Sequence, residues 1–377
     1  MIRRYNKLMV ILFSLILSVI SIYFIIDRDK DYSVVENRYL SKNPSISLEN
    51  ILSGEYMINM EKYINDQFPM RNVFISMKTD FLRLVGNKEI NGVYFGDNGY
   101  LIEKWNKNDF DDTIFRKNIN IINAFAKNNP KTKISIMLVP TASLIYKDKI
   151  SKNAQMVDQQ SLSNIAKKSL VNVKYIDLIP IFLLDNKDLY YKTDHHWTTK
   201  GAFIAYKEWG NIKGIDVHEK DFKITPISNS FQGSLHSKIL NKDCEKDKIE
   251  IYERNNQGVY QVYYDFGKNK SNDIYEMKHL QNKDKYQVFL DGNHAEIKMN
   301  TSQLNGKHLL VIKDSFANSL IPFLMNDYET IHIIDLRYYN EDINAYITEY
   351  GINEFLFLYN FKNFSEDENL GKLKSKS

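Results

Sequence analysis

The densest group of residues able to do chemistry lies between Lys192 and Ala202, in the sequence KTDHHWTTKGA. Asp194 is followed directly by His195 and His196. A carboxylate that accepts a hydrogen bond from one imidazole orients that ring and stabilises its protonated form. A histidine held in this way is a competent general base near neutral pH. The segment therefore predicts an acid–base pair in which Asp194 is the orienting group.

Two other interpretations of the same segment remain open. Asp194, His195 and His196 could bind a metal ion, but adjacent histidines point in divergent directions and catalytic zinc usually uses more widely spaced ligands, so we expect no metal. The pair could also be loop histidines beside a buried Trp197, and one of the two rings is expected to be structural. The other histidines are scattered, and none is assigned to catalysis: His218, His236, His279, His294, His308 and His332.

A general base requires a nucleophile, and Ser315 is the best candidate. The sequence LVIKDSFANS from Leu310 to Ser319 indicates an apolar strand that stops where a helix begins. Ligands collect at the carboxyl ends of parallel strands. A serine at such a turn exposes its hydroxyl, while N–H groups at the helix start can bind an oxyanion. Simple helix capping is the commoner explanation of an Asp-Ser pair at this position.

The elements that must position these residues alternate between helix and strand. Apolar periodicity predicts helices near 114–125, 162–170, 316 onward and 343–350, and strands at 134–139, 173–176, 308–312, 331–334 and 355–358. This alternation is typical of a parallel sheet with helices on both faces, the α/β class. Between about 214 and 305 the sequence is β-rich and charged, which suggests an insertion or cap over the sheet.

The N-terminus predicts a membrane anchor. Arg3, Arg4 and Lys7 precede an uncharged apolar run from Leu8 to Ile26. Such a run nearly spans a bilayer, and its basic flank places the short N-terminus in the cytoplasm. The run does not end in the small residues of a cleavage site, which favours an uncleaved anchor. We therefore expect a cytoplasmic tip and transmembrane helix at 1–30, a stem at 31–53 and an extracytoplasmic catalytic domain at 54–377.

The composition argues against a nucleic-acid partner and rules out sites that need several cysteines. The chain has 50 Lys and Arg against 47 Asp and Glu, so no single-sign field indicates nucleic acid as a partner. Cys244 is the only cysteine, so the chain can form neither an intramolecular disulfide nor a cysteine-based zinc cluster.

Taken together, these motifs resemble those of the DHHW protein family, which belongs with the AlgX/AlgJ-type SGNH-hydrolase-like proteins of polysaccharide O-acetylation. The name-giving motif is Asp194-His195-His196-Trp197, and its partner block is Lys313-Asp314-Ser315-Phe316. Further similar segments extend the resemblance over most of the chain: 36–38, 66–71, 91–94, 231–235 and 335–339.

The resemblance implies an SGNH-like three-layer fold and a role for each residue. In the O-acetylation branch an Asp-x-His block precedes the serine block, and this order maps onto Asp194, His196 and Ser315. His195 takes the variable position and is a possible supporting residue. The Ser315 N–H is implied as an oxyanion donor, with Gly233 and Asn293 as further candidates.

The resemblance also implies a reaction. Ser315, deprotonated by His196, would take an acetyl group and pass it to a sugar hydroxyl or to water. An O-acetyltransferase acting on a cell-surface or secreted polysaccharide is the leading hypothesis. An acetylesterase with the same residues and a non-catalytic binding or export-scaffold protein are the alternatives. A membrane-bound O-acyltransferase is the expected acetyl donor, and no cofactor is expected.

Overall fold

The computed structural model describes residues 2–241, 244–256 and 258–374, with side chains from Arg4 onward. The chain divides into two compact units, Met1–Ile90 with Ser237–Asp243, and Asn91–His236 with Cys244–Ser377. The boundary after residue 53 that the sequence suggested stays a prediction.

The described residues form helices and strands with the following bounds. The α-helices are α1 (Ile2–Ile26), α2 (Leu48–Leu52), α3 (Glu55–Gln67), α4 (Arg71–Leu84), α5 (Thr113–Asn128), α6 (Ala142–Ile145), α7 (Gln159–Ser169), α8 (Ile179–Leu184), α9 (Thr199–Lys213), α10 (Ser234–Ile239), α11 (Ile321–Leu324), α12 (Ile343–Glu349) and α13 (Phe361–Glu366). The strands are β1 (Tyr32–Ser33), β2 (Arg38–Tyr39), β3 (Glu89–Ile90), β4 (Val93–Phe95), β5 (Leu101–Glu103), β6 (Lys133–Val139), β7 (Lys174–Asp177), β8 (Phe222–Phe231), β9 (Asp247–Arg254), β10 (Tyr260–Tyr264), β11 (Asn269–Ser271), β12 (Glu296–Thr301), β13 (His308–Lys313), β14 (Thr330–Ile334) and β15 (Glu354–Asn360).

In the first unit, helix α1 contains a stretch, Arg4–Ile26, that is long and apolar enough to cross a membrane, a property that signal sequences share. The segment after it is ordered by ion pairs between separate motifs. Arg38 forms a bidentate pair with Asp66, with distances of 2.9 and 2.5 Å. Arg71 lies 2.7 Å from Glu36. The first two segments of the resemblance therefore contact each other.

The second unit is built on an eight-stranded sheet with the order β11-β10-β12-β14-β13-β15-β6-β7. The strands from β14 to β7 are parallel. Alternate residues of one strand point to opposite faces of a sheet. Thus Leu309 and Val311 of β13 join one apolar cluster, with α9, while Leu310 and Ile312 join another, with α5, α7 and α12. This is a three-layer α/β fold, and it confirms the predicted class.

The β-rich region between 214 and 305, predicted as an insertion or cap, belongs in part to the main sheet. Strands β10, β11 and β12 extend the main sheet, because β12 pairs antiparallel with β14 at the edge of the parallel strands. Pairing satisfies the backbone N–H and C=O groups that this edge would otherwise leave open. Strands β8 and β9 form a separate two-stranded sheet.

The carboxyl ends of three neighbouring parallel strands meet at Ser315. Strand β13 ends at Lys313, and residues 315–319 form a 3₁₀ turn before the short helix α11, where a helix from about residue 316 was expected. Asp314 accepts hydrogen bonds from the N–H of Phe316 at 2.9 Å and of Asn360 at 2.8 Å. Asn360, at the end of β15, in turn donates to the carbonyl of Val139 at the end of β6. The turn that carries Ser315 is therefore fixed to the strands beside it.

Candidate active site

The Asp194–Trp197 loop leads into helix α9, whose N-cap is Thr198, and it is held by Asp247. The two carboxylate oxygens of Asp247 accept from the N–H of Lys192 at 2.7 Å and from the N–H and hydroxyl of Thr193 at 2.8 and 2.5 Å. The Thr193 carbonyl accepts two N–H groups from the first turn of α10. The start of the loop is thus fixed by Asp247 and by helix α10. Sequence reasoning missed Asp247, because it lies far along the chain and carries no motif.

Asp194 is buried, and both of its carboxylate oxygens accept hydrogen bonds. Its Oδ1 accepts from the backbone N–H of His196 at 2.9 Å and from the Nδ1 of the same residue at 2.6 Å. Its Oδ2 accepts from the N–H of Ser234 at 2.7 Å. Burial alone would raise the pKa of Asp194, but His195, His196 and the Ser234 N–H hold that pKa well below its usual range. Asp194 is therefore ionised at neutral pH.

His196 joins Asp194 to Ser315. Its Nε2 lies 2.7 Å from Ser315 Oγ, while Nδ1 faces Asp194. A neutral ring with its proton on Nδ1 satisfies both contacts, since Nδ1–H donates to Asp194 and Nε2 accepts from the serine hydroxyl. Burial and the neighbouring His195 ring lower the pKa of His196 to about 4, although Asp194 acts in the opposite direction. At neutral pH the ring is therefore unprotonated and able to take the serine proton.

His195 does not occupy this bridging position. Its Nδ1 is 2.7 Å from Ser234 Oγ and 3.6 Å from Asp194 Oδ1. Its side chain is 29% exposed, against 8% for His196. The two rings lie 3.8 Å apart, centroid to centroid. His195 is thus a neighbour that packs on the His196 ring.

A tyrosine that sequence reasoning missed covers the other face of His196. The Tyr286 ring stacks on the imidazole with centroids 3.9 Å apart and planes 9° apart. Its hydroxyl lies 3.2 Å from both the Ser315 carbonyl and Ser319 Oγ. Tyr286 therefore fixes the histidine and the serine turn at once. It precedes the turn by almost thirty residues in a segment without a motif, so no local signal indicates it.

Trp197 ties the two motifs together. Its indole N–H donates to the Phe316 carbonyl at 2.9 Å and to Ser319 Oγ at 2.9 Å. The ring is completely buried. The tryptophan of the Asp-His-His-Trp motif thus holds the serine turn against the loop that carries His196.

The three candidate oxyanion donors, the Ser315 N–H, Gly233 and Asn293, differ in the hydrogen bonds that they already make. Within the described residues, no acceptor engages the Ser315 N–H. The Gly233 N–H donates to Thr193 Oγ1 at 3.1 Å, which argues against its predicted role as an oxyanion donor. Asn293 is exposed, and its amide oxygen lies 2.8 Å from Lys313 Nζ. The Ser315 N–H and the Asn293 amide therefore remain candidates.

Asp194, His195 and His196 lie close enough together to be considered as ligands of a metal ion. One ligating atom from each of Asp194, His195 and His196 lies within 4.8 Å of the other two. Each of these side chains is, however, already held by hydrogen bonds to Ser315, Ser234 or its neighbour. A metal ion would have to displace these contacts, so the residues fit hydrogen-bonded serine chemistry better than metal ligation.

A three-layer α/β fold with a Ser–His–Asp arrangement at the carboxyl edge of its parallel strands defines the class of SGNH-hydrolase-like proteins. The chain belongs to the DHHW protein family, whose sequence profile matches residues 88–334. No curated protein matches the sequence.

Several solved structures are similar to this chain. A DHHW family protein from Eubacterium siraeum is 22% identical, with a TM-score of 0.66, and the match covers 76% of this chain and 95% of that one. PatB1 from Bacillus cereus, solved with a sulfonyl adduct, is 25% identical with a TM-score of 0.64, over 75% of this chain and 98% of that one. The O-acetyltransferase domain of AlgJ from Pseudomonas putida is 12% identical with a TM-score of 0.46, over 76% and 96% of the two chains.

Proposed function

We propose that the protein is an O-acetyltransferase that uses Ser315, His196 and Asp194 to acetylate hydroxyl groups of a cell-surface or secreted polysaccharide. The observation that carries the proposal is the continuous chain of hydrogen bonds from Asp194 Oδ1 to His196 Nδ1, 2.6 Å, and from His196 Nε2 to Ser315 Oγ, 2.7 Å. This arrangement activates a serine hydroxyl for nucleophilic attack. The choice of acetyl as the acyl group comes from the family resemblance.

The first half-reaction forms an acetyl-enzyme. Ser315 Oγ attacks the carbonyl carbon of an acetyl donor while its proton passes to His196 Nε2. Asp194 stabilises the imidazolium that results. The Ser315 N–H and the Asn293 amide donate to the oxyanion of the tetrahedral intermediate. The intermediate collapses when the bond to the leaving group breaks, and the leaving group takes the proton from His196.

The second half-reaction reverses these steps with a sugar. His196 removes the proton of a sugar hydroxyl, whose oxygen attacks the acetyl carbonyl carbon. The bond to Ser315 Oγ then breaks, and that oxygen recovers the proton from His196. Water in place of the sugar would give an esterase. A transferase therefore needs a bound glycan that excludes water from the acetyl group.

The N-terminal segment supports an extracytoplasmic location. The basic residues in the first turns of helix α1, before its apolar run, favour a cytoplasmic N-terminus, which would leave the site outside the membrane. A membrane-bound O-acyltransferase that exports acetyl groups is the proposed donor. An anchored enzyme would receive the acetyl group close to the membrane surface.

Sulfonyl reagents offer a first chemical check. Because the similar Bacillus cereus protein PatB1 carries a sulfonyl adduct in its structure, we expect this chain to react with a sulfonyl fluoride as well. The reaction should depend on His196, since an unactivated serine hydroxyl is a weak nucleophile.

Gene deletion with complementation tests the function. Deletion should remove ester-linked acetate from the surface polysaccharide, and a wild-type copy should restore it. A Ser315→Ala copy should not, whereas Ser151→Ala, at an exposed turn position, should restore it fully. Complete restoration by Ser315→Ala would overturn the proposal. An increase in bound acetate on deletion would identify an esterase.

A further inference from the structure

Lys313 is a fully buried lysine two residues before Ser315, and the proposed reaction has no direct use for it. Its side chain has no solvent exposure. Its Nζ donates to Asn293 Oδ1 at 2.8 Å and to Asn318 Oδ1 at 2.9 Å, and lies 3.5 Å from Asp335. Burying an ammonium group is costly unless its hydrogen bonds and charge are satisfied. We therefore expect Lys313 to have a role beyond packing.

The lysine fixes which way the Asn293 amide faces. Asn293 Oδ1 accepts both from Lys313 and from Asn318 Nδ2, at 2.8 and 3.3 Å. Asn318 Nδ2 also donates to the Gly292 carbonyl at 3.0 Å. With its oxygen held by two buried donors, Asn293 must direct its NH₂ group the other way. No acceptor among the described residues takes those N–H groups, and the residue is exposed.

The backbone that carries Asn293 is strained. Leu290, Asp291 and Gly292 all adopt positive φ, at 60°, 57° and 90°. Two consecutive non-glycine residues in this region are costly and persist only where the surroundings enforce them, which is commonest at functional sites. Here Asp291 is held by His279 at 2.5 Å and by Lys278 at 2.9 Å. This strained segment ends directly before Asn293.

The charge of Lys313 is balanced on its far side. Asp335 lies 3.5 Å away and is itself paired with Arg337 through contacts of 2.8 and 2.6 Å. The carboxylate therefore stays paired with Arg337 when the lysine is replaced. A variant with a neutral side chain at position 313 should therefore fold.

We infer that Lys313 is a positioning residue, which holds the Asn293 amide so that its N–H groups donate to the oxyanion formed on Ser315. The inference rests on the proposed function. Lys313 acts only through Asn293, and touches neither the acetyl group nor the sugar. Removing its donors should free the amide to rotate and should weaken stabilisation of the tetrahedral intermediate, while binding of the donor is unchanged.

A double-mutant cycle tests the inference. The full chain in detergent is assayed for hydrolysis of p-nitrophenyl acetate, with kcat and KM measured for Lys313→Met, Asn293→Ala and the double variant. Loss of one oxyanion donor lowers kcat by about 100-fold or more. We expect Asn293→Ala to show this loss, Lys313→Met to lower kcat by about 10-fold to 100-fold with little change in KM, and the double variant to match Asn293→Ala.

Lys298→Met is the matched control. Lys298 lies on β12 in the same sheet and contacts the rings of Tyr263 and Tyr350, so its replacement should leave kcat unchanged. The inference is overturned when Lys313→Met has wild-type kcat. It is also overturned when Lys313→Met lowers kcat by the same factor with and without Asn293, because a lysine that only supports the fold would act independently of that amide.

Two further variants keep the outcome interpretable. Thermal unfolding checks that each variant is folded, and Lys313→Gln, which keeps one donor group, replaces Lys313→Met when the latter shows no cooperative transition. Ser315→Ala separates the inference from the proposed function. Wild-type hydrolysis by Ser315→Ala contradicts the proposed function itself, whereas an inactive Ser315→Ala beside a fully active Lys313→Met contradicts only the role of Lys313.

Discussion

Gly233 approaches Asp194 so closely that a methyl group on its Cα would lie 2.2 Å from Asp194 Oδ2 and 2.5 Å from Cγ. No side chain fits at such distances, so Gly233→Ala must displace the carboxylate that orients His196. We expect kcat for acetyl ester hydrolysis to fall by about 100-fold, because small misplacements of catalytic groups carry losses of this size. Steady-state kinetics of the purified full chain measure the effect.

Gly371→Ala is the control for this prediction. Nothing lies within 4 Å of a Cβ at Gly371, so the same substitution there should leave kcat within about twofold of the wild type. Wild-type activity in Gly233→Ala would show that Asp194 tolerates displacement.

The two adjacent histidines should respond unequally to replacement. His196 contacts both Asp194 and Ser315, whereas His195 contacts Ser234. His196→Ala should lower kcat by about 10³-fold or more, since it removes the general base, and His195→Ala by less than about 10-fold. Each variant serves as the control for the other. A larger loss of kcat in His195→Ala than in His196→Ala would show that His195, and not His196, is the base.

The dependence of activity on pH should reflect the low pKa of His196. The base must be unprotonated to accept the serine proton, and burial with the nearby His195 ring lowers its pKa to about 4. Activity should therefore be complete at pH 6 and should fall only as the pH decreases through the range near 4. The measurement is kcat/KM for p-nitrophenyl acetate against pH, which reports the free enzyme. A midpoint at or above pH 6.5 would contradict the assignment.

Trp197→Phe should destabilise the protein through lost hydrogen bonds. The replacement removes the indole N–H that the Phe316 carbonyl and Ser319 Oγ both accept, and only Ser319 Oγ keeps the Tyr286 hydroxyl as a partner at 3.2 Å. An unmet buried acceptor costs about 1–3 kcal/mol, measured as the free energy of unfolding in denaturant. The Trp105 indole makes none of the described hydrogen bonds, so Trp105→Phe should lower the free energy of unfolding by less. Equal losses would show that ring volume alone matters.

Local sequence was sufficient for the parallel strands and for the two motifs. Strand β13 is a run of apolar residues that ends at a serine turn, and buried parallel strands produce such runs. The Asp194–Trp197 loop was found for a different reason, because an aspartate and two histidines are adjacent in it. What local sequence could not decide was whether His195 or His196 faces the serine, because adjacent residues in a loop have no periodicity to distinguish them.

The parts that sequence missed depend on contacts between distant segments. Asp247 and Tyr286 approach the site from strands and turns of the 214–305 region, and neither has a recognisable spacing to the residues it holds. The pairing of β12 with β14 is also non-local, so the sequence predicted an insertion or cap without indicating that part of this region extends the sheet. Gly233 fell in a recognised motif, but its close approach to Asp194 is visible only in three dimensions.

The central claim is that Ser315 carries the acetyl group during turnover, and trapping the acetyl-enzyme tests it most directly. The full chain in detergent is incubated briefly with p-nitrophenyl acetate, quenched in acid and digested for peptide mass spectrometry. We expect one acetyl group on the peptide that contains Ser315, its absence in Ser315→Ala and slow formation in His196→Ala. Steady turnover in Ser315→Ala, or acetylation confined to other residues, would contradict the account.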